Sequence, residues 1–254
     1  RIGVWRRRCE LDLRKGFHEP VEKPRRFYKQ VAVTEADGGF GVTLDGRSLR
    51  TPKALKMVLP TRAAAEQIAE EWAAQGETIE MATMHATRLA NTAIETIGES
   101  REAVADQVVQ YAGTDLVCYY ADGPAELLER QTAAWTPVHE RIIAELDLQF
   151  MAASGVIHRD QPPETLAKVR ELALGLDDFS LAGLAFGTAL FGSAILAISL
   201  LKGWLTGEQA FALSRVDETF QEEKWGIDSE AAERTARLAG EAAMLERWFR
   251  GMQA

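Results

Sequence analysis

One uncharged stretch limits what this chain can fold into more than any other feature. It reads "LAGLAFGTALFGSAILAISLL" and runs for 21 residues from Leu181 to Leu201. A helix needs about 20 apolar residues to cross the hydrocarbon core of a bilayer, so this run is long enough for a membrane span. A helix that is apolar on every side also suits the centre of a helical domain. The composition and the flanks of the run distinguish the two cases.

Small and polar residues inside the run favour the buried core helix. Three glycines, one threonine and two serines lower its hydropathy, and Gly192–Ser193 stands near its middle, where a helix can break or kink. Asp177 and Asp178 precede the run and Lys202 follows it, so no excess of cations marks a cytoplasmic side. We therefore predict a core helix and no membrane insertion. A peripheral membrane protein that uses this run remains the alternative.

The charge balance argues against a nucleic-acid partner. The 254 residues carry a formal net charge of −9 at pH 7, and the isoelectric point is about 5.1. Domains that bind duplexes usually show a basic face and a high isoelectric point. The two cysteines, Cys9 and Cys118, form neither a metal-binding spacing nor a disulfide framework, which fits a reducing compartment.

Turn dipeptides divide the region from residue 25 to residue 59 into short β-forming stretches. Asp37-Gly38-Gly39 separates "KQVAVTE" from "FGVTL", which is a hairpin signal. Asp45-Gly46 then separates "FGVTL" from "RSLRTP". These signals predict a small antiparallel sheet.

Helical periodicity follows Pro60 and continues almost to the end of the chain. Ile68 and Trp72 lie four residues apart and share one face of the first helix. Thr136–Pro137 has the pattern of an N-cap followed by a proline at the first helical position, which predicts that a helix begins there and runs towards Leu146.

The predicted class is α+β, with a small β-rich N-terminal domain followed by a larger all-α C-terminal domain. Residues 1–23 are arginine-rich and lack the apolar run of a secretion signal, so we expect disorder or an extension there. Residues 24–80 form the predicted β-rich domain, and residues 81–254 form the helical one.

Enzyme signatures are missing from the sequence. It contains no phosphate-binding loop, no HExxH and no GxSxG, and its four histidines do not pair at helical spacing. We predict no catalytic residue, no metal and no cofactor. The alternative is a small-molecule enzyme, such as a hydrolase, whose site is assembled only in three dimensions. Such a site would show a deep pocket with converging carboxylates and a perturbed histidine.

An acidic cluster surrounds Trp225-Gly226, with Glu222 and Glu223 before it and Glu230 after it. Paired carboxylates can act as a general acid and a general base. Adjacent glutamates on a helix point about 100° apart, however, so a solvated helix face that ends at Gly226 is the simpler interpretation.

Six stretches, in order, resemble one known family, the F1-ATPase assembly chaperones that escort the alpha subunit in mitochondria and alpha-proteobacteria. The stretches are "RRFYKQVAV", "GFGVTLDGRSLRTP", "EEWAAQGETIEMATMHATRLANTAIE", "YAGTDLVCYY", "LLERQTAAWTPV" and "LTGEQAFALSRVDETFQEEKWG". Together they cover most of residues 25–226. The resemblance implies a β-containing N-terminal domain beside a helical C-terminal domain.

The resemblance also implies a function. Members of this family are not enzymes; they bind the newly made alpha subunit, shield the surface that later contacts the beta subunit, and leave when beta arrives. We accordingly expect a monomer whose partner is the F1 alpha subunit. We expect it in the bacterial cytoplasm or, alternatively, in the mitochondrial matrix.

The resemblance implies two sets of residues. The structural set is Glu71, Trp72, Arg88, Asn91, Gln131, Trp135 and Pro137. The partner-binding set is Glu222, Glu223, Trp225, Glu230, Asp115 and Tyr119. Acidic residues at a helix C-terminus oppose the helix dipole, so we expect a basic residue of the alpha subunit to compensate Glu222 or Glu223. The tail after Gly226 lacks the "VEWAHD" of many mitochondrial members, which leaves open which glutamate is functional.

Overall fold

The computed structural model describes residues 23–155 and 158–253 and has a small sheet near its start and helices beyond, which confirms the predicted α+β class. Its strands are β1 (Val31–Ala36), β2 (Gly39–Leu44), β3 (Arg47–Ser48), β4 (Val58–Leu59), β5 (Tyr119–Tyr120) and β6 (Ala153–Ser154). Its α-helices are α1 (Arg62–Ala73), α2 (His85–Thr92), α3 (Gly98–Gly113), α4 (Ala125–Leu146), α5 (Pro163–Leu174), α6 (Asp178–Phe191), α7 (Ala194–Leu201), α8 (Gly207–Leu213), α9 (Val216–Trp225) and α10 (Ser229–Met252). The extension predicted for residues 1–23 lies outside the described residues, apart from Lys23.

The sheet forms as the turn dipeptides predicted. β1 and β2 pair antiparallel, and β2 also pairs with β3 and β4. Asp45 and Gly46 have φ angles of 47° and 78°, the left-handed geometry that joins a tight hairpin. A Cβ atom at Gly39 would lie 2.1 Å from the carbonyl oxygen of Leu59, so only glycine lets β4 approach at this point.

Helix α1 packs against both the sheet and α10. Thr61 caps the helix by accepting a hydrogen bond from Ala64 N at 3.1 Å, and its hydroxyl donates to the carbonyl of Gly251. Gln67 donates to the carbonyl of Met244 at 3.1 Å. The predicted boundaries at residues 24–80 and 81–254 stay a prediction. Helix α1 contacts both the N-terminal sheet and the C-terminal helix α10.

The apolar run forms two buried helices, α6 and α7, at the centre of the helical part. The break lies where the sequence indicated it: Gly192 adopts a left-handed conformation (φ 63°), and Ser193 caps α7 through a bond from Leu196 N. Gly183 and Gly187 allow α10 to approach closely, because a Cβ at either would come within 2.7 Å of a Phe249 or Leu245 side chain. No helix in residues 23–155 and 158–253 is both long and apolar enough to cross a bilayer.

The prediction that a helix begins at Thr136–Pro137 is wrong. Helix α4 begins at Ala125, after Pro124, and continues through Pro137 to Leu146. Pro137 is exposed, whereas Trp135 is buried beside it and donates its indole N–H to the carbonyl of Leu213 at 2.9 Å. Burial of the apolar face of α4 outweighs the loss of one internal hydrogen bond at the proline.

Candidate partner-binding site

An open groove of about 900 Å³ lies between α9, the first half of α10 and the α6–α7 junction. We call it the acidic groove. Leu190, Phe191 and Leu116 are the apolar side chains of its lining near the junction. Its acidic side chains are Glu218, Glu222, Asp228, Glu230 and Glu233, and its arginines are Arg215, Arg234 and Arg237. The arrangement combines an apolar base with charged walls.

The local sequence explains why the groove walls stand apart. Helix α9 ends at Trp225, and Gly226 reverses the chain direction with a φ of 82°, a conformation that favours glycine. Asp228 then caps α10 by accepting a hydrogen bond from Ala231 N at 2.8 Å. Helices α9 and α10 therefore form two separate walls of the acidic groove, joined by this turn.

The glutamates before Trp225 each have an arginine partner within the chain. Glu222 accepts a hydrogen bond from Arg215 at 2.5 Å inside the groove, and Glu223 accepts one from Arg130 of α4 at 2.6 Å outside it. These pairs correct the expectation that a cation from a partner is needed to compensate the cluster. Arg215 stands seven residues before Glu222, whereas Arg130 comes from a distant helix that no local pattern could reveal.

Three other groove carboxylates have no such partner. In the part of the chain that the structure describes, Glu218, Glu230 and Glu233 make neither an ion pair nor a side-chain hydrogen bond, and all three are exposed. Of the predicted site residues, only Glu222 and Glu230 line the acidic groove. Within the described residues, the unpaired carboxylates of the groove are therefore those of Glu218, Glu230 and Glu233.

Exposed apolar side chains lie at the α9–α10 turn. Trp225 is 78% exposed and Ile227 is 47% exposed, which is unusual for side chains of this size. A large aromatic side chain in this position is the kind of residue that anchors protein interfaces. The structure thus places Trp225 beside the acidic groove without packing it into the fold.

Asp115 is placed in the interior. Its carboxylate is buried and accepts hydrogen bonds from Val117 N at 3.3 Å and from Ile195 N at 3.0 Å, so it holds the first turn of α7. Burial raises the pKa of Asp115 to about 6, although hydrogen bonds from Ser193 and these backbone groups act in the opposite direction. Burial argues against a direct contact of Asp115 with a partner.

Tyr119 lies on β5, away from the lining of the acidic groove. It is half-buried, and its hydroxyl lies 3.0 Å from Nδ1 of His158. His158 in turn lies 3.1 Å from the carboxylate of Asp160. The structure does not bring Tyr119 together with the glutamates of the predicted partner-binding set.

Most of the predicted structural set serves the interior. Glu71 of α1 accepts bonds from Ala86 N (2.7 Å) and Thr87 N (2.8 Å) and so caps α2. The buried amide of Gln131 accepts from Ala121 N and donates to Asp217 of α9. Glu71 thus joins two neighbouring helices, whereas Gln131 joins α4 to a helix 86 residues further along the chain.

The remaining members of this set differ in burial. Trp72 is buried against Tyr28, with ring centroids 5.6 Å apart. Arg88 and Pro137 are exposed. Asn91 is half-buried, and its Oδ1 atom has no hydrogen-bond partner in residues 23–155 and 158–253.

Sequence reasoning missed the second wall of the groove, which carries Glu233, Arg234 and Arg237. The composition of the sequence after Ile227 could have indicated this wall. The stretch from Asp228 to Gly240 is helical in pattern but has only one large apolar side chain, Leu238. Such a helix cannot be packed on both sides, so it has to border solvent or a partner.

The acidic groove lacks the features of the alternative enzyme site. No histidine lines it, and His85 lies elsewhere, with Nδ1 3.6 Å from a Glu241 oxygen. Within the described ranges, no group of three histidine, cysteine or acidic side chains could hold a metal ion.

This chain is similar to known proteins in both sequence and structure. The ATP12 chaperone protein family matches residues 25–143. The mitochondrial protein atp12 of Schizosaccharomyces pombe is 28% identical over 228 residues, which is 84% of this chain and 78% of that protein. The family match includes five of the six stretches from which the resemblance was inferred, and the sixth, at residues 205–226, lies beyond it.

Solved structures extend the likeness to nearly the whole chain. The crystal structure of Atp12 from Paracoccus denitrificans is similar with a TM-score of 0.83 and 39% identity, covering 90% of this chain and 98% of that one. A crystal structure from Agrobacterium tumefaciens is similar with a TM-score of 0.85 and 39% identity, covering 90% of this chain and 86% of that one. On this shared sequence and fold, the chain belongs to the ATP12 chaperone family.

Proposed function

We propose that this chain binds the newly made alpha subunit of the F1 sector of ATP synthase through the acidic groove and shields it until the beta subunit takes its place. Membership of the ATP12 chaperone family supports an F1-ATPase assembly chaperone and implies a protein that is not an enzyme. The choice of alpha rests on the sequence resemblance. The relatives include a mitochondrial and a bacterial protein, and we propose the bacterial cytoplasm as the compartment, with the mitochondrial matrix as the alternative.

The observation that carries the proposal is the set of unpaired carboxylates around an apolar base. Before assembly, a subunit of an obligate complex exposes an interface that is large and rich in apolar side chains. The base of the groove and the exposed Trp225 can cover such side chains, while Glu218 and Glu230 can pair with cations at the edge of the client surface.

The charged walls also suit a chaperone that has to release its client. A polar contact contributes more to specificity and to the association rate than to affinity. A holder with such walls can bind alpha quickly and still yield to the larger and more apolar interface that beta offers. A deep and fully apolar pocket would retain the client.

The test is the affinity of purified alpha subunit for the full chain at low and at moderate salt. The variant Glu218→Lys with Glu230→Lys should bind alpha about tenfold or more weakly, because it places cations opposite the cations of the client. It should lose only about 0.3–1 kcal/mol of stability for each glutamate, because each lies in the first turn of its helix, where a negative charge interacts favourably with the helix dipole, and neither side chain is buried.

A matched control changes the net charge equally at a different place. Glu66→Lys with Glu145→Lys alters two exposed residues that do not line the groove, and it should bind alpha within about twofold of the wild type. Equal binding by all three proteins at both salts would contradict the groove assignment. Capture of isolated beta instead of alpha would contradict the choice of client.

A further inference from the structure

A second cavity, of about 490 Å³, lies where the sheet meets α1, and it shares no lining residue with the acidic groove. We call it the aromatic cavity. The lining residues that matter here are Phe27, Tyr28, Arg47, Arg50 and Trp72. Its chemistry is opposite to that of the groove, because it combines aromatic rings with exposed cations.

The aromatic side of this cavity is held in place. Phe27 is 72% exposed, and its ring meets Tyr28 edge-on with centroids 5.3 Å apart. Tyr28 is buried, packs on Trp72 and donates its hydroxyl proton to the Trp72 carbonyl at 2.6 Å. An exposed phenylalanine on such a support can cover an apolar side chain with little loss of conformational freedom.

The polar side of the cavity offers donors that lack acceptors. In the described part of the chain Arg47 has no ion pair, and Arg50 donates only to the carbonyl of Ala54, at 2.7 Å. The buried indole N–H of Trp72 has no acceptor among the same residues. The guanidinium groups of Arg47 and Arg50 call for an anionic ligand.

The one acidic residue of the lining forms no ion pair with these arginines in the described residues. Asp45 accepts hydrogen bonds from the backbone N–H groups of Gln30 and Lys29, which lower the pKa of its carboxyl group. The charge of Arg47 also contributes to this lowered pKa. This carboxylate is therefore engaged in closing the start of β1. The lining therefore carries two cations, Arg47 and Arg50, against one carboxylate, and its net charge is positive.

The charge of the whole region has the same sign. Residues 23–60 contain eight lysines and arginines but three acidic residues, whereas residues 61–254 contain fifteen basic and thirty-one acidic residues. The sheet region is thus a positive end on a protein of net charge −9. Such a field attracts acidic segments to the aromatic cavity and repels basic ones.

We propose that the aromatic cavity docks an acidic segment of the client polypeptide that carries a large apolar side chain. The apolar side chain lies beside Phe27, and neighbouring carboxylates pair with Arg47 and Arg50. This inference rests on the proposed function, because it gives the chaperone a second contact with the same client. The client is then held at two places of opposite charge, one at the acidic groove and one at the sheet.

The first experiment uses a labelled peptide and the full chain, with fluorescence anisotropy as the readout. The probe is an eight-residue peptide of glutamate and aspartate around a central Leu-Phe pair. The comparison peptides replace its acids with lysine or its Leu-Phe with Gly-Gly. We expect the acidic Leu-Phe peptide to bind best. Arg47→Glu with Arg50→Glu should weaken it about tenfold.

The matched control is Lys23→Glu with Arg25→Glu, which changes the charge of the same region equally at exposed positions outside the cavity lining. It should bind the acidic Leu-Phe peptide within about threefold of the wild type, since only the long-range field changes. Equal losses in both double variants, equal binding of all three peptides, or no binding of the acidic one would overturn the proposal.

The second experiment measures the affinity for isolated alpha subunit in the same proteins. Arg47→Glu with Arg50→Glu should weaken it about tenfold, while the control should stay within about threefold. If the acidic-groove variant leaves alpha binding unchanged while the peptide result holds, the proposed function is contradicted. The assignment of the aromatic cavity to acidic segments then still stands. If the groove variants act and the cavity variants do not, this inference fails alone.

Self-association is the remaining outcome. The helical part of a second copy is acidic and could enter the cavity. Sedimentation at several protein concentrations would show this as a dimer that Arg47→Glu with Arg50→Glu breaks. That result would overturn the proposal and assign the cavity to contacts between copies.

Discussion

Carboxylates in the interior of this protein and carboxylates at the acidic groove do opposite things. Asp115 and Glu71 point at backbone N–H groups and bind the starts of helices. Glu218 and Glu230 point at solvent and bind nothing in the described part of the chain. The chemical group is the same, so the surroundings decide whether it stabilises the fold or remains free for a partner.

The difference shows where family-like motifs can mislead. Asp115 and Glu230 both belonged to the predicted partner-binding set, yet one is buried and the other is exposed. A buried carboxylate is retained only if backbone donors or a cation satisfy it. The interior residues should therefore govern stability, and the groove residues should govern binding.

The largest expected difference in stability between interior and groove residues is that between variants of Trp72 and Trp225. Trp72→Arg places a charge in the core between α1 and Tyr28, and we expect the free energy of unfolding to fall by about 3–5 kcal/mol. That is a large share of the total for a typical domain. Trp225→Arg, at 78% exposure, should change it by less than about 0.5 kcal/mol. Urea denaturation of both variants measures the difference. Equal losses would show that Trp225 also supports the fold.

The next test concerns the sign of a pH dependence. Burial raises the pKa of Asp115 to about 6, above its value in the unfolded chain. The folded protein therefore keeps this proton where the unfolded chain has lost it. The resulting stabilisation is complete below about pH 4 and declines as the pH rises through about 6.

Asp115→Asn removes this titration and one of the two acceptor oxygens. We expect it to lower the free energy of unfolding by about 1–3 kcal/mol near pH 5 and by less near pH 7. The control is Asp160→Asn, because the side chain of Asp160 is 99% exposed. The stability of this variant relative to the wild type should not change with pH in the same way. Thermal melts of the three proteins across this range measure the trend. A difference between wild type and Asp115→Asn that grows with pH would contradict the assignment.

The smallest expected effect compares two adjacent glutamates. Glu71→Ala removes the cap of α2 and should cost about 1–2 kcal/mol. Glu70→Ala removes only an exposed ion pair with Arg247, of length 2.5 Å, and should cost less than about 0.5 kcal/mol. Chemical denaturation at neutral pH resolves the two. A larger loss at Glu70 would mean that the surface pair, and not the cap, joins α1 to its neighbours.

Local patterns determined much of the fold. The turn dipeptides Asp37-Gly38 and Asp45-Gly46 predicted the hairpins, because glycine, asparagine and aspartate are the residues that most readily turn the chain with a positive φ. The uncharged run predicted the buried centre, and Gly192–Ser193 predicted where it divides into α6 and α7. Each signal acts over a few residues, which is why it can be read without coordinates.

The same local rules failed at α4. Thr136–Pro137 has the pattern of a helix start, but it lies inside a helix of 22 residues. The outcome depends on the burial of Trp135 and Gln131 against distant segments, including Leu213 and Asp217. Packing energy from residues some 80 positions away is absent from any local pattern.

The candidate site divides in the same way. The order of motifs along the chain was enough to indicate the family and the acidic cluster near Trp225. Only the tertiary structure decided that Arg215 and Arg130 pair with Glu222 and Glu223, that Asp115 lies inside, and that Glu218 and Glu230 are exposed and unpaired among the described residues. Charge pairing and burial depend on which surfaces meet in space, and a linear pattern does not contain that information.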